Sequence, residues 1–122
     1  MRILIAEDEP IMLKTMALKL MRDGHVVTTA NNGRDAIQLI TENKYDLVIT
    51  DIMMPYTSGL EILGFVKSKH GKKLPVIVLS AMGQENVVVE AFNLGADDYI
   101  TKPFSPIELS LRVMRFAAMV AA

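Results

Sequence analysis

Residues 45–55 read YDLVITDIMMP. Leu47, Val48 and Ile49 are aliphatic with no polar alternation, which is how a strand buried on both faces reads. Asp51 follows two residues later as a bare carboxylate, a group that stays in contact with water. Pro55 closes the stretch as a turn former. The segment is therefore an apolar post with an acid on its wet end, and the fold follows from what the rest of the chain places around it.

Similar short runs, apolar or β-branched, recur at 2–6, 25–30, 76–80 and 98–101, with the post itself at 46–50. Helical patterns lie between them. Leu13, Met16, Ala17, Leu20 and Met21 mark one helix face, and Gly24 is a stop signal. Asn32 is a cap for a second helix running through Ile40. Ser58-Gly-Leu-Glu61 and Ser105-Pro-Ile-Glu108 match the capping box, with Pro106 at a first helical position. A fourth helix over 84–94 carries Val87, Val88 and Val89 in a row, mediocre helix formers that make it the least secure. Strict β-α alternation predicts an α/β fold with right-handed crossovers and a parallel sheet flanked by helices.

Composition bounds the function. A chain of 122 residues, 51% hydrophobic, is one domain with a sizeable core. Thirteen Lys plus Arg against fourteen Asp plus Glu give a net charge of −1, which makes no electrostatic case for nucleic acid or an anionic membrane. The absence of cysteine excludes disulfides and thiolate metal sites. Glu7-Asp8-Glu9 interrupts the first apolar run too early for a signal peptide. A soluble, cytoplasmic protein is expected. His25 and His70 read as surface residues. Lys67, Lys69, Lys72 and Lys73 read as a solvated cluster complementing a helix dipole.

In open parallel sheets ligands bind beyond the carboxyl ends of the strands. Glu7 and Asp8 follow the first strand, Asp51 the third, Ser80 ends the fourth, and Lys102 follows the fifth. Acids gathered there stay ionised together only around a cation. All-oxygen donors without His or Cys point to a hard ion, Mg²⁺ or Mn²⁺. With Lys102 beside it, such a site accommodates a phosphoryl group, with Asp51 as the attacking atom and Ser80 as a hydrogen-bond donor.

Four motifs in order, ILIAEDEP, DLVITDIMMPYTSGLEIL, PVIVLSAM and GADDYITKPFSPIEL, resemble the receiver domains of bacterial two-component response regulators across essentially the whole chain. The resemblance implies a flavodoxin-like five-stranded sheet in the order 2-1-3-4-5, an order the general rules for doubly wound sheets also give for a relative. It implies that Asp51 accepts a phosphoryl group from a sensor histidine kinase or phosphotransfer protein, and that Glu7, Asp8, Asp51 and the Met53 carbonyl hold Mg²⁺. It further implies that Lys102 pairs with the phosphoryl oxygens through a cis Lys102–Pro103 bond, and that Ser80 and Tyr99 switch on phosphorylation.

The last motif is most similar to receivers coupled to winged-helix DNA-binding domains, which implies a transcriptional output through a domain beyond this chain. A stand-alone receiver acting by protein–protein contact is the alternative. Receivers of that subfamily dimerise through the fourth helix, fifth strand and fifth helix by charge pairs, for which Asp97, Glu108, Arg112 and Arg115 are candidates. Val88 and Met119 stand where the subfamily carries basic residues. Leu109, Val113, Phe116 and Val120 read as a second apolar stripe on the last helix, beyond Ile107, Leu111 and Met114, and are expected to contact a partner or a further domain. Met53 and Met82, two residues past Asp51 and Ser80, flank the implied path of hydrolytic water and predict slow self-dephosphorylation. A flavodoxin-type cofactor binder would need a phosphate cradle where Glu7-Asp8-Glu9 stands. An aspartate-nucleophile phosphatase would need a second acid where Met53 stands. A binding module independent of phosphorylation would not need the acid, serine and lysine set.

Overall fold

The computed structural model describes residues 1–121, with side chains through Met119. Its elements run β1 (Arg2–Ala6), α1 (Pro10–Arg22), β2 (Val26–Ala30), α2 (Gly33–Glu42), β3 (Leu47–Asp51), α3 (Gly59–His70), a 3-10 turn (Gly71–Lys73), β4 (Val76–Ala81), α4 (Glu85–Asn93), β5 (Asp98–Lys102) and α5 (Pro106–Ala121). The strands form one parallel sheet in the order β2-β1-β3-β4-β5.

Side-chain alternation along each strand sorts the core into two layers. Leu4, Val48, Val76 and Val78 face α2, α3 and α4, packing on Ala36, Ile40, Ile62, Leu63, Val66 and Ala91. Ile3, Ile5, Leu47, Ile49, Ile77, Leu79 and Ile100 face α1 and α5, packing on Met16, Leu20, Leu109, Val113 and Phe116. Each fully buried Leu or Ile contributes about 1.5–3 kcal/mol. The order of strands reverses between β1 and β3, so the crevice at their carboxyl ends is the topological switch point of the sheet.

The caps fall where the residues call for them. Asn32 Oδ1 accepts from Asp35 N at 2.8 Å, and Ser58 with Glu61 makes a complete capping box. Ser105 Oγ accepts from Glu108 N at 3.1 Å. Gly24 takes φ +97° just past α1. The fourth helix does form, but Ala91 is its one buried residue and its first residue has no side-chain cap.

The stripe expected to face a partner is instead the core stripe of α5. Leu109, Val113 and Phe116 are buried against the sheet, while Ile107, Leu111 and Met114 are the exposed row. The cause is local. Phe104 precedes the cap Ser105 and packs in the same layer as Leu109, four residues into the helix, so a hydrophobic staple sets the phase of α5. Val120 lies outside the described side chains.

Three charged candidates are also engaged within the chain. Asp97 Oδ2 accepts from Lys67 Nζ and from Val76 N, each at 2.8 Å. Lys67 Nζ also donates to the carbonyls of Leu74 (3.0 Å) and Gly71 (3.2 Å), so it is a clamp and not part of a solvated cluster. Arg112 and Arg115 both reach the buried Asp98, at 2.8 and 3.0 Å. A buried carboxylate needs such partners.

Candidate phosphoryl-acceptor site

Glu7, Asp8 and Asp51 reach the switch point because β1 and β3 are neighbours in register, with Ala6 opposite Thr50. One carboxylate oxygen from each of the three lies within 4.8 Å of the others. Three carboxylate oxygens gathered this closely are the kind of donor set a hard cation such as Mg²⁺ takes. Glu7 is 1% exposed and Asp51 7%, whereas Asp8 is open to solvent. The third acid of the motif, Glu9, serves the helix instead. Its carboxylate caps α1, accepting from Met12 N at 2.7 Å and Ile11 N at 3.2 Å.

Lys102 enters from β5, next to a cis Lys102–Pro103 bond. Its Nζ donates to Asp51 Oδ2 at 2.7 Å and to Glu7 Oε2 and Oε1 at 3.0 and 3.3 Å. One ammonium among three carboxylates leaves the pocket negative. Burial pushes Glu7 up to about 7, the Asp51 charge adds to the rise, and Lys102 opposes it. For Lys102 burial pulls downward, but the hydrogen bonds to Asp51 and Glu7 outweigh it and hold the amine above its ordinary value.

A carboxyl raised in the fold stabilises the chain below its unfolded value of 4.5, and that contribution is lost as pH rises through about 7. The metal-free chain is therefore expected to melt at a lower temperature at pH 8 than at pH 5. A cation needs Glu7 ionised, so Mg²⁺ affinity is expected to be about tenfold weaker at pH 6 than at pH 8. Calorimetric titration at the two values checks this, and a flat profile would contradict it.

Ser80 is buried at the end of β4, opposite Thr101 of β5. It has no hydrogen bond to Asp51 or Lys102 and lines a separate recess of about 440 Å³ with Tyr99, Thr101 and Val88. Tyr99 is 39% exposed, its ring edge-on to Phe92 at 5.8 Å between centroids. Met53 N donates to Asp51 Oδ1 at 3.4 Å, and the side chains of Met53 and Met82 are 61% and 77% exposed, so neither is a core filler. The structure thus brings Glu7, Asp8, Asp51, Lys102 and the Met53 backbone together, and sets Ser80 and Tyr99 along an adjoining recess. Gly59 reads in the sequence as punctuation shaping the loop after Asp51, and the structure adds a close approach: a Cβ there would lie 2.0 Å from the Asp51 carbonyl oxygen. Its place one residue after the cap of α3 gave no sign of that approach.

Comparison with known proteins agrees with this geometry. Residues 3–114 match the family model described as the response regulator receiver domain. The chain is 41% identical over 112 residues to transcriptional regulatory protein ResD of Bacillus subtilis (strain 168), covering 92% of this chain and 46% of ResD. It is 40% identical over 111 residues to transcriptional regulatory protein SrrA of Staphylococcus aureus (strain NCTC 8325 / PS 47), covering 91% and 45%. The chain thus spans about half the length of these curated relatives. Among solved structures, the Francisella response regulator 1452 receiver domain superposes with a TM-score of 0.89 at 34% identity, covering 98% of each chain. A response regulator receiver domain protein from Clostridium thermocellum gives 0.91 at 31% identity, covering 98% of this chain and 96% of that one. The chain belongs to the response regulator receiver domain family.

Proposed function

We propose that Asp51 is the acceptor of a phosphoryl group delivered by a phosphohistidine on a sensor kinase or phosphotransfer protein. The observation that carries this reading is the convergence of Glu7, Asp8 and Asp51 oxygens within 4.8 Å, with Lys102 Nζ 2.7 Å from Asp51. An Asp51 carboxylate oxygen attacks phosphorus in line, the P–N bond breaks, and the imidazole leaves with the bonding pair. Lys102 then shifts from Asp51 to a phosphoryl oxygen. Glu7, Asp8, Asp51 and the Met53 carbonyl would hold Mg²⁺ (or Mn²⁺), which supplies charge neutralisation at the transferring group. The test is Mg²⁺-dependent incorporation of phosphate from acetyl phosphate. No incorporation at any Mg²⁺ concentration would sink the reading.

Ser80 and Tyr99 form the readout in this proposal. The recess they share gives the ring room to turn inward once Ser80 moves toward the phosphate, a two-state element biased by local charge. Among the described residues no helix is long and apolar enough to cross a membrane. A cytoplasmic location and a transcriptional output are part of the proposal, supported by the naming of ResD and SrrA as transcriptional regulatory proteins.

A homodimer through α4, β5 and α5 would use the exposed row Ile107, Leu111 and Met114, since Arg112 and Arg115 are occupied by Asp98 and Asp97 by Lys67. Val88 lines the recess and Glu108 is half-buried near the start of α5. The exposed row also suits the alternative, a stand-alone receiver acting by protein–protein contact.

The phosphorylated state is expected to be long-lived, because neither Met53 nor Met82 can orient a water. Met53→Asn or Met53→Glu is expected to shorten the aspartyl-phosphate lifetime about tenfold, a fraction of the 10²–10⁴ a positioned acid–base group supplies. Decay of labelled protein after donor removal measures it. Unchanged decay in both variants would count against a role for this position.

A further inference from the structure

Tyr56 is the one non-glycine among the described residues with a positive φ, +68°. Thr57 N donates to Pro55 O at 2.9 Å across it. A hydrogen bond spanning three residues with positive φ at the centre is the rarer, strained hand of γ-turn, and an aromatic side chain suits it poorly. Burial does not hold it there, since Tyr56 is 76% exposed.

What does touch it comes from α2. The Arg34 guanidinium carbon sits 4.9 Å from the centroid of the Tyr56 ring. One residue earlier, Gly33 lies so close to the turn that a Cβ there would stand 2.0 Å from Thr57 O. The start of α2 is itself fixed, because Asn32 accepts from Asp35 N and donates to Asp35 Oδ2. On the other side Gly59 N donates to Ile52 O at 2.7 Å and closes the loop on the end of β3. The segment 52–58 is therefore held between the first turn of α2 and the strand carrying Asp51, and it contains Met53, whose N–H reaches Asp51.

We propose that Arg34 is a positioning residue for the cation site: by stacking on Tyr56 it holds the strained turn, and the turn sets the Met53 backbone beside Asp51. This rests on the reading that Glu7, Asp8, Asp51 and the Met53 carbonyl take Mg²⁺. Direct electrostatics would act the other way, since a nearby guanidinium repels a divalent cation. Loss of the Arg34 charge alone tightens Mg²⁺ binding, and loss of the stack weakens it.

The test is a double-mutant cycle on the intact chain: parent, Arg34→Ala, Tyr56→Gly and the double variant. Mg²⁺ is titrated at constant ionic strength and followed through the amide shifts of Met53 and Thr57. Arg34→Ala is expected to weaken binding by about two- to fivefold, the worth of an exposed cation–π stack. Tyr56→Gly removes the stack together with the strain it offsets, because glycine takes positive φ freely, and so provides the background in which Arg34 has nothing to hold. In that background Arg34→Ala should no longer weaken binding, and Arg34→Lys should recover part of the loss in the parent background. Without Mg²⁺, the Tyr56 ring protons should shift in Arg34→Ala. Equal weakening by Arg34→Ala in both backgrounds, or none in either, would overturn the role of Arg34. A parent chain that fails to bind Mg²⁺ at all would instead overturn the cation site.

Discussion

Asp51→Asn is expected to lose labelling by acetyl phosphate completely while the protein stays folded. Asparagine keeps the size of the side chain but removes the nucleophilic oxygen and one negative charge. The metal-free fold should tolerate this well. Asp51 and Glu7 share Lys102 in the parent, and the Asp51 charge is one cause of the raised Glu7 pKa. With that charge gone, Glu7 and Lys102 form a one-to-one pair, so the melting temperature at pH 8 should not fall. Mg²⁺ binding should weaken, since one anionic ligand is lost. Phosphate incorporation and thermal unfolding on the same preparation separate the two effects. Labelling that persists in a folded Asp51→Asn protein would place the acceptor elsewhere.

Gly59→Ala is expected to be strongly damaging. The added carbon would meet the Asp51 carbonyl oxygen at 2.0 Å, Ile52 Cα at 2.7 Å and the Asp51 carbonyl carbon at 2.8 Å, all backbone atoms of the acceptor segment. They cannot yield without breaking the bond from Gly59 N to Ile52 O. A cost of about 1–3 kcal/mol or more is expected from such overpacking. Phosphorylation should slow as well, because misplacing a reacting group by about 1 Å can cost 10²-fold. Gly64, five residues on in the same helix, is the control. Nothing lies within 4 Å of a Cβ there, so Gly64→Ala should stabilise by about 0.5–1 kcal/mol through helix propensity alone. Denaturant melts of the two variants check the opposite signs.

Most of the architecture was legible because the strands are short, apolar and separated by strong caps. Asn32, Ser58 and Ser105 each cap the helix they announce. The acids were legible because each stands just past an apolar run, and strand ends in a parallel sheet share one rim. What failed was the phase of α5. Its rows 107–111–114 and 109–113–116 have the same spacing, and both are apolar, so periodicity cannot choose between them. The staple between Phe104 and Leu109 chooses, and it was readable from the cap position. Lys67–Asp97 and Arg112–Asp98 were out of reach for another reason. Those pairs depend on how α3 and α5 lie against the sheet, which no local pattern encodes.

The two ends of α4 are fastened very unequally. Beyond its carboxyl end, Lys67 and Val76 grip Asp97, while its first turn lies free of any capping side chain near Ser80. A helix fastened at one end, with Ala91 its one buried residue and Val87 and Val88 half-buried beside it, yields most easily at its unfastened end. Displacement there would be greatest beside the acceptor rim and would fade toward the opposite pole of the sheet, leaving the packed layers beneath it undisturbed.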